Sequence, residues 1–147
     1  MKQRVALFAA LAVAMTAAPA LGQSMLVQIG STHAFAETLQ RIEKTITARG
    51  LTLFAKIDHA AAAQGAGMTL RPTTLLIFGS PKGGTPVMQS QPTAAIDLPL
   101  KALVWQGDDG TVRVAVNGAE VYARHGLNAE QVKPLVGVAA LVEAALK

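Results

Sequence analysis

The sequence predicts an α+β fold, an antiparallel sheet with two main helices packed on one face, in the order β-α-β-β-β-β-α. Three observations predict it. Apolar residues at helical spacing mark one helix near the start and another at the C-terminus. Between them, short runs alternate with strand periodicity. The turn Gly107-Asp108-Asp109-Gly110 joins two such runs as a hairpin, which makes neighbours antiparallel.

The chain opens on MKQR, a short positive start, followed by VALFAALAVAMTAAPA, apolar and uncharged. Small residues at Ala20 and Gly22 occupy the positions a signal peptidase reads. Residues 1–22 therefore read as a secretory signal peptide cleaved after Ala20 or Gly22, and residues 23–147 as one domain. The apolar run is too short to span a bilayer comfortably, and no Lys/Arg stop signal follows it. The expected product is periplasmic or secreted, with no stable membrane anchor after cleavage. There is no cysteine, so neither a disulfide nor a lipid anchor is available and stability must come from packing.

The whole chain carries +4, but Lys2 and Arg4 leave with the signal, so eleven basic residues face nine acidic ones. That ordinary balance, with five aromatics after residue 22, argues against nucleic acid as a partner.

Residues 25–30, MLVQIG, read as an opening strand, with Ser31 or Thr32 placed to cap a helix over 33–49. Phe35, Leu39, Ile42 and Ile46 form its apolar stripe, Glu37 and Arg41 pair on the wet side, and Gly50 closes it. In LTLFAKID, Leu51, Leu53, Ala55 and Ile57 alternate with polar or larger neighbours and predict a strand with those four on one face. Asp58 caps a short helical turn, HAAAAQGAG. RPTTLLIFG is apolar on both faces after Pro72 and reads as a central strand. If Gln106 pairs with Thr111, then Trp105 opposes Val112 and faces the core, with Leu103 against Val114. EVYARHG makes a helical turn, and Asn128 with Gln131 resembles a capping box. The last helix carries Leu135, Val138, Val142 and Ala145, and kinks or starts at Pro134.

The stretch FGSPKGGTPVMQSQ, residues 78–91, has the punctuation of a site. It is not a Walker loop, because Lys82 precedes Gly83-Gly84 and Thr85 precedes proline, and its glycines miss the dinucleotide spacing. Ser80-Pro81 and Thr85-Pro86 each place a hydroxyl before a proline suited to the first position of a helix. A helix starting at Pro86 could offer N–H groups to an anion, but turn-and-cap structure explains the stretch more simply.

Five motifs, Asp58-His59, Arg71-Pro72, Phe78-Gly79-x-Pro81, Gly84-Thr85-Pro86-x-Met88 and Asp97-Leu98-Pro99, resemble the domain-of-unknown-function family 302 (DUF 302) over about Leu26 to Leu127. The resemblance implies a compact α+β fold of the general layout of TATA-binding-protein-like domains. It brings no established activity and no catalytic residue. The chain departs from the pattern at Ser80, Val116 and Gly118-Ala119.

Candidate chemistry is sparse. Asp58-His59 reads either as a pocket histidine oriented by a carboxylate or as a helix cap beside a partly buried histidine. His33, His59 and His125 lack metal-ligand spacing, Met68 and Met88 read as core filler, and neither metal nor cofactor is expected. No G-x-S-x-G frame is present, and Pro81 removes an oxyanion donor beside Ser80. Asp97 reads as a turn residue bonding its own backbone, and His125 as a helix terminus. The candidate ligand pocket combines Asp58, His59, Lys82, Thr85, Met88 and Tyr122. The leading expectation is a non-catalytic module that binds a small molecule or forms a homodimer through its sheet. The alternative is a small enzyme or metal-binding protein using Asp58-His59.

Overall fold

The structure, a computed structural model, describes residues 25–147. The predicted signal peptide lies outside the described residues. In chain order the elements are β1 (Leu26–Ser31), α1 (Phe35–Ala48), β2 (Thr52–Asp58), α2 (His59–Gly65), β3 (Thr73–Gly79), α3 (Pro81–Ser90), a 3-10 helix (Pro92–Ile96), β4 (Leu100–Gln106), β5 (Val112–Asn117), α4 (Ala119–Ala123), α5 (Ala129–Val136) and α6 (Val138–Ala145). One antiparallel five-stranded sheet runs β1-β5-β4-β3-β2, so the α+β expectation holds and β3 is interior, as its apolar sequence requires.

The main core lies between the sheet and α1 with α6. Leu39, Ile42 and Ile46 of the α1 stripe meet Leu76, Phe78, Val104, Val114 and Val142 there. Removing each such side chain from water contributes roughly 2 kcal/mol. Gly50, at φ 69°, ends α1, while Leu51 N–H donates to Ile46 O (3.1 Å) and Gly50 N–H to Thr47 O (2.9 Å). The helix starts later than Ser31 or Thr32 would have it, with Ala34 at the cap position. Ser31 Oγ instead bonds the buried Thr38 Oγ1 at 2.7 Å, tying β1 to the helix.

Two expectations of register are corrected. In β2, Leu53 pairs with Phe78 but Ala55 pairs with Ile77, so Phe54 is an extra residue, a β-bulge. Beyond it parity reverses. Lys56 turns to the helix face and meets Glu43 of α1 at 2.6 Å, while Ile57 faces the other side, opposite Leu75. In the hairpin, Gln106 pairs with Val112 rather than Thr111, so Trp105 opposes Arg113 on the face away from the helices. The turn is one residue longer than the core-facing register needs. Asp109 fixes it by accepting from Thr111 N–H (3.0 Å), Thr111 Oγ1 (2.7 Å) and Arg113 Nη2 (2.8 Å).

The helices also differ in detail. The last helix breaks at Gly137, three residues after Pro134, where a Cβ would lie 3.4 Å from Pro134 O. Its stripe splits accordingly. Val138, Val142 and Ala145 join the main core, and Leu135 joins a second cluster with Val87, Ala94, Tyr122, Leu127 and Val132. That cluster packs α3, the 3-10 helix, α4 and α5 into a flank beside the sheet. The capping box Asn128/Gln131 is present at the start of α5. Finally, α3 begins at Pro81 and carries Pro86 inside it, so Thr85-Pro86 continues a helix instead of starting one.

Candidate functional site

The segment from Phe78 to Met88 leaves β3, crosses Ser80 and winds into α3. Two glycines open a helix face that would otherwise carry side chains. At Gly83 a Cβ would meet nothing within 4 Å, and at Gly84 it would first meet the Met88 methyl at 3.8 Å. Glycine inside a helix costs about 1 kcal/mol relative to alanine, so the pair needs a local reason. The reason is room. The open face borders a cavity of about 380 Å³.

The walls come from four parts of the chain. Leu51 and Phe54 supply one side, and Gly79, Ser80, Pro81 and the face of α3 through Met88 supply the second. Leu98, Pro99 and Leu100 form the third, and Pro134 and Leu135 of α5 close the fourth. The bulge matters here, because Phe54 is the extra residue it creates. The lining is mostly apolar, and among the described residues that form it the Ser80 and Thr85 hydroxyls are the only side-chain hydrogen-bond donors. Ser80 makes no side-chain cap bond, and its carbonyl accepts from Gly83 N–H (3.0 Å) and Gly84 N–H (2.9 Å). The helix start is thus partly satisfied internally.

Of the six residues combined from sequence, Thr85 and Met88 line this cavity. Lys82 is exposed on the same helix but outside the wall. Asp58 caps α2, accepting Ala61 N–H at 2.9 Å, and borders a separate, open depression with Phe35, Met68 and Leu70. His59 opens α2 and is exposed. The bulge had already reversed the parity that would have turned it inward. Tyr122 is wholly buried in the second cluster. Burial pushes its phenol up to about 12; the nearby Asn117 side chain tempers the rise without reaching a full hydrogen bond, and the Asp97 charge adds to it.

Sequence reasoning missed a second constellation. Asp97 does not bond its own backbone. Its Oδ2 accepts from Arg124 Nη2 at 2.6 Å and from His125 Nε2 at 2.5 Å. The His125 and Asp97 side chains are 9% and 14% exposed, so the pair is largely shielded from water. Burial works against ionisation of Asp97, but the hydrogen bonds from His125 and Arg124 prevail and hold its carboxyl below the ordinary value. On the other side of the imidazole, Nδ1 lies 3.2 Å from Thr93 Oγ1. Lys101 Nζ donates to Asp97 O (2.8 Å) and Pro99 O (3.0 Å), and burial lowers its pKa against the opposing pull of the Asp97 charge. The signal for this cluster was present in the Asp97-Leu98-Pro99 motif and in ARHGL, but nothing in the one-dimensional pattern joins them.

Among the described residues, no group of three or more His, Cys, Asp or Glu side chains converges on a metal position. Nor is any helix among them long and apolar enough to cross a membrane.

Comparison with known proteins gives three findings. Residues 27–147 match the family described as "Domain of unknown function DUF302". A crystal structure of an uncharacterized conserved DUF302 protein from Bacillus stearothermophilus superposes with a TM-score of 0.70 at 16% identity, covering 83% of this chain and 95% of that one. That likeness concerns the fold. Proteins named fluoride-specific ion channel FluC 1 from Brucella suis and FluC 2 from Brucella melitensis are each 42% identical over 105 residues, 71% of this chain. The match covers 41% and 39% of their lengths, so the chain spans about two fifths of the curated relatives it matches.

Proposed function

This chain belongs to the DUF302 domain family, and from that premise we propose that it is an exported domain that binds a small, largely apolar ligand in the cavity beside α3. The observation that carries the reading is the cavity of about 380 Å³, walled by apolar side chains and kept open by Gly83 and Gly84. Its size and lining suit a small organic molecule, with Ser80 and Thr85 as the hydroxyls that would orient it. Export rests on the sequence of residues 1–22. The channel name belongs to relatives of which about two fifths is matched, so ion conduction is not carried over.

The test uses N-phenyl-1-naphthylamine, a neutral apolar fluorophore. Native protein should enhance its emission saturably. Gly84→Leu, which places a side chain toward Met88 and into the cavity, should weaken binding at least about tenfold, equivalent to about 1.4 kcal/mol. Equal binding by both proteins, or none by the native one, ends the reading.

A second reading, a homodimer formed through the sheet, has its own observation. On the face away from α1 and α6, Ile57, Leu75, Leu103 and Ala115 stand in one row across four strands. Ile57 is 40% exposed. Light scattering should give a dimer mass for native protein and a monomer mass for Leu103→Lys; a native monomer at all concentrations rejects it.

A further inference from the structure

We propose that Thr93 is a hydroxyl nucleophile activated by His125, with Asp97 as the residue that positions the imidazole, and that it accepts acyl groups from activated esters. The proposal is independent of the apolar cavity, because Thr93 is not part of its wall.

Nucleophilic catalysis by a hydroxyl needs a base within hydrogen-bond reach and a third group that fixes the base. Thr93 Oγ1 lies 3.2 Å from His125 Nδ1, and His125 Nε2 lies 2.5 Å from Asp97 Oδ2. Asp97 is ionised at neutral pH, since its carboxyl is held below the ordinary range. A carboxylate only accepts, so Nε2 must carry the proton. In the neutral imidazole Nδ1 then presents a lone pair, to which the Thr93 O–H donates.

Arg124 Nε lies 3.4 Å from the same Nε2, which already bears a proton and cannot accept. The arginine acts instead through Nη2, 2.6 Å from Asp97 Oδ2, and anchors the carboxylate. Base and positioning residue are nearly buried, whereas Thr93 is exposed on the 3-10 helix. A sheltered base beside an open hydroxyl is the arrangement that lets substrate in and keeps the imidazole in one tautomer. The Gln91 side-chain amide lies 3.6 Å from the Cβ position of Gly126, next to His125 in the chain, and is a side-chain N–H donor on this side of the cluster.

The reaction balances without a cofactor. Thr93 Oγ1 attacks the ester carbonyl carbon as its proton passes to His125 Nδ1. The tetrahedral intermediate collapses, the bond to the leaving alkoxide breaks, and the alkoxide departs with the proton from Nδ1. Water then gives its proton to Nδ1 and attacks the threonine ester. That bond breaks, a carboxylic acid leaves, and Thr93 recovers its proton.

The test uses the purified protein and p-nitrophenyl acetate, followed by intact mass and peptide mapping. The expected result is one acetyl group on Thr93. His125→Gln should slow that labelling roughly a hundredfold, the scale of general-base assistance. Thr93→Val should remove it, Thr93→Ser should restore it, and Asp97→Asn should slow it in a variant whose circular dichroism is native. Acetyl groups on lysines alone, or on Thr93 at an unchanged rate in His125→Gln, overturn the proposal and leave the cluster a structural tie. If His125→Gln does not fold, diisopropyl fluorophosphate decides on native protein: a phosphoryl adduct on Thr93 supports the nucleophile, and its absence rejects it.

Discussion

Asp97 is where local chemistry and tertiary structure meet most directly. Its carboxylate receives two charge-assisted bonds from residues 27 and 28 positions away. Bonds to a charged group are worth about 2 kcal/mol each in favourable settings, so Asp97→Asn should destabilise the protein by about 2 kcal/mol near neutral pH. The folded-state pKa lies below the ordinary carboxyl value of 3.8. The stabilisation is therefore complete above that value and disappears as pH falls through the lowered one. Thermal melts taken from neutral pH down to about pH 2 should show native and Asp97→Asn curves converging at the acid end. A constant gap would remove ionisation from the account. From sequence, Asp97 was legible only as a turn former. Its partners follow the end of α4, and no periodicity records a contact between two loops.

At the scale of the element, the helices were the most readable parts. The α1 stripe and the α5 capping box are patterns written in neighbouring residues, where the physics is local. Their consequences are testable. Gly50 stands at φ 69° with open space around it, so Gly50→Ala pays only the left-handed backbone cost, about 1 kcal/mol. Asn128→Ala removes the side-chain acceptor of the box and should also cost about 1 kcal/mol. Urea titrations with an unchanged slope would report both; a loss below about 0.3 kcal/mol would reject the cap arguments. The strands were legible in existence but not in facing. A single extra residue at Phe54 leaves the written alternation intact and reverses every side chain after it. The hairpin failed for the same reason, since a turn one residue longer moved Trp105 to the other side.

For the whole molecule, one sheet face is covered by α1 and α6, and the other carries Ile57, Leu75, Leu103 and the chain's single tryptophan, Trp105. If two copies join through that face, dilution should shift Trp105 emission to longer wavelength in native protein and leave a Leu103→Lys variant unchanged. The fold class was readable because element order limits how apolar faces can be buried. The cavity was only half readable: FGSPKGGTPVM announced its α3 wall, while Leu98, Pro134 and Phe54 arrive there by packing. The bulge has a further consequence. β2 is a lateral boundary of the sheet, and such boundaries invite strands of other chains to add on. An irregular residue in mid-strand bends that boundary and breaks the even ladder an incoming strand would copy. The bulge at Phe54 therefore makes that flank a poor template for strand addition.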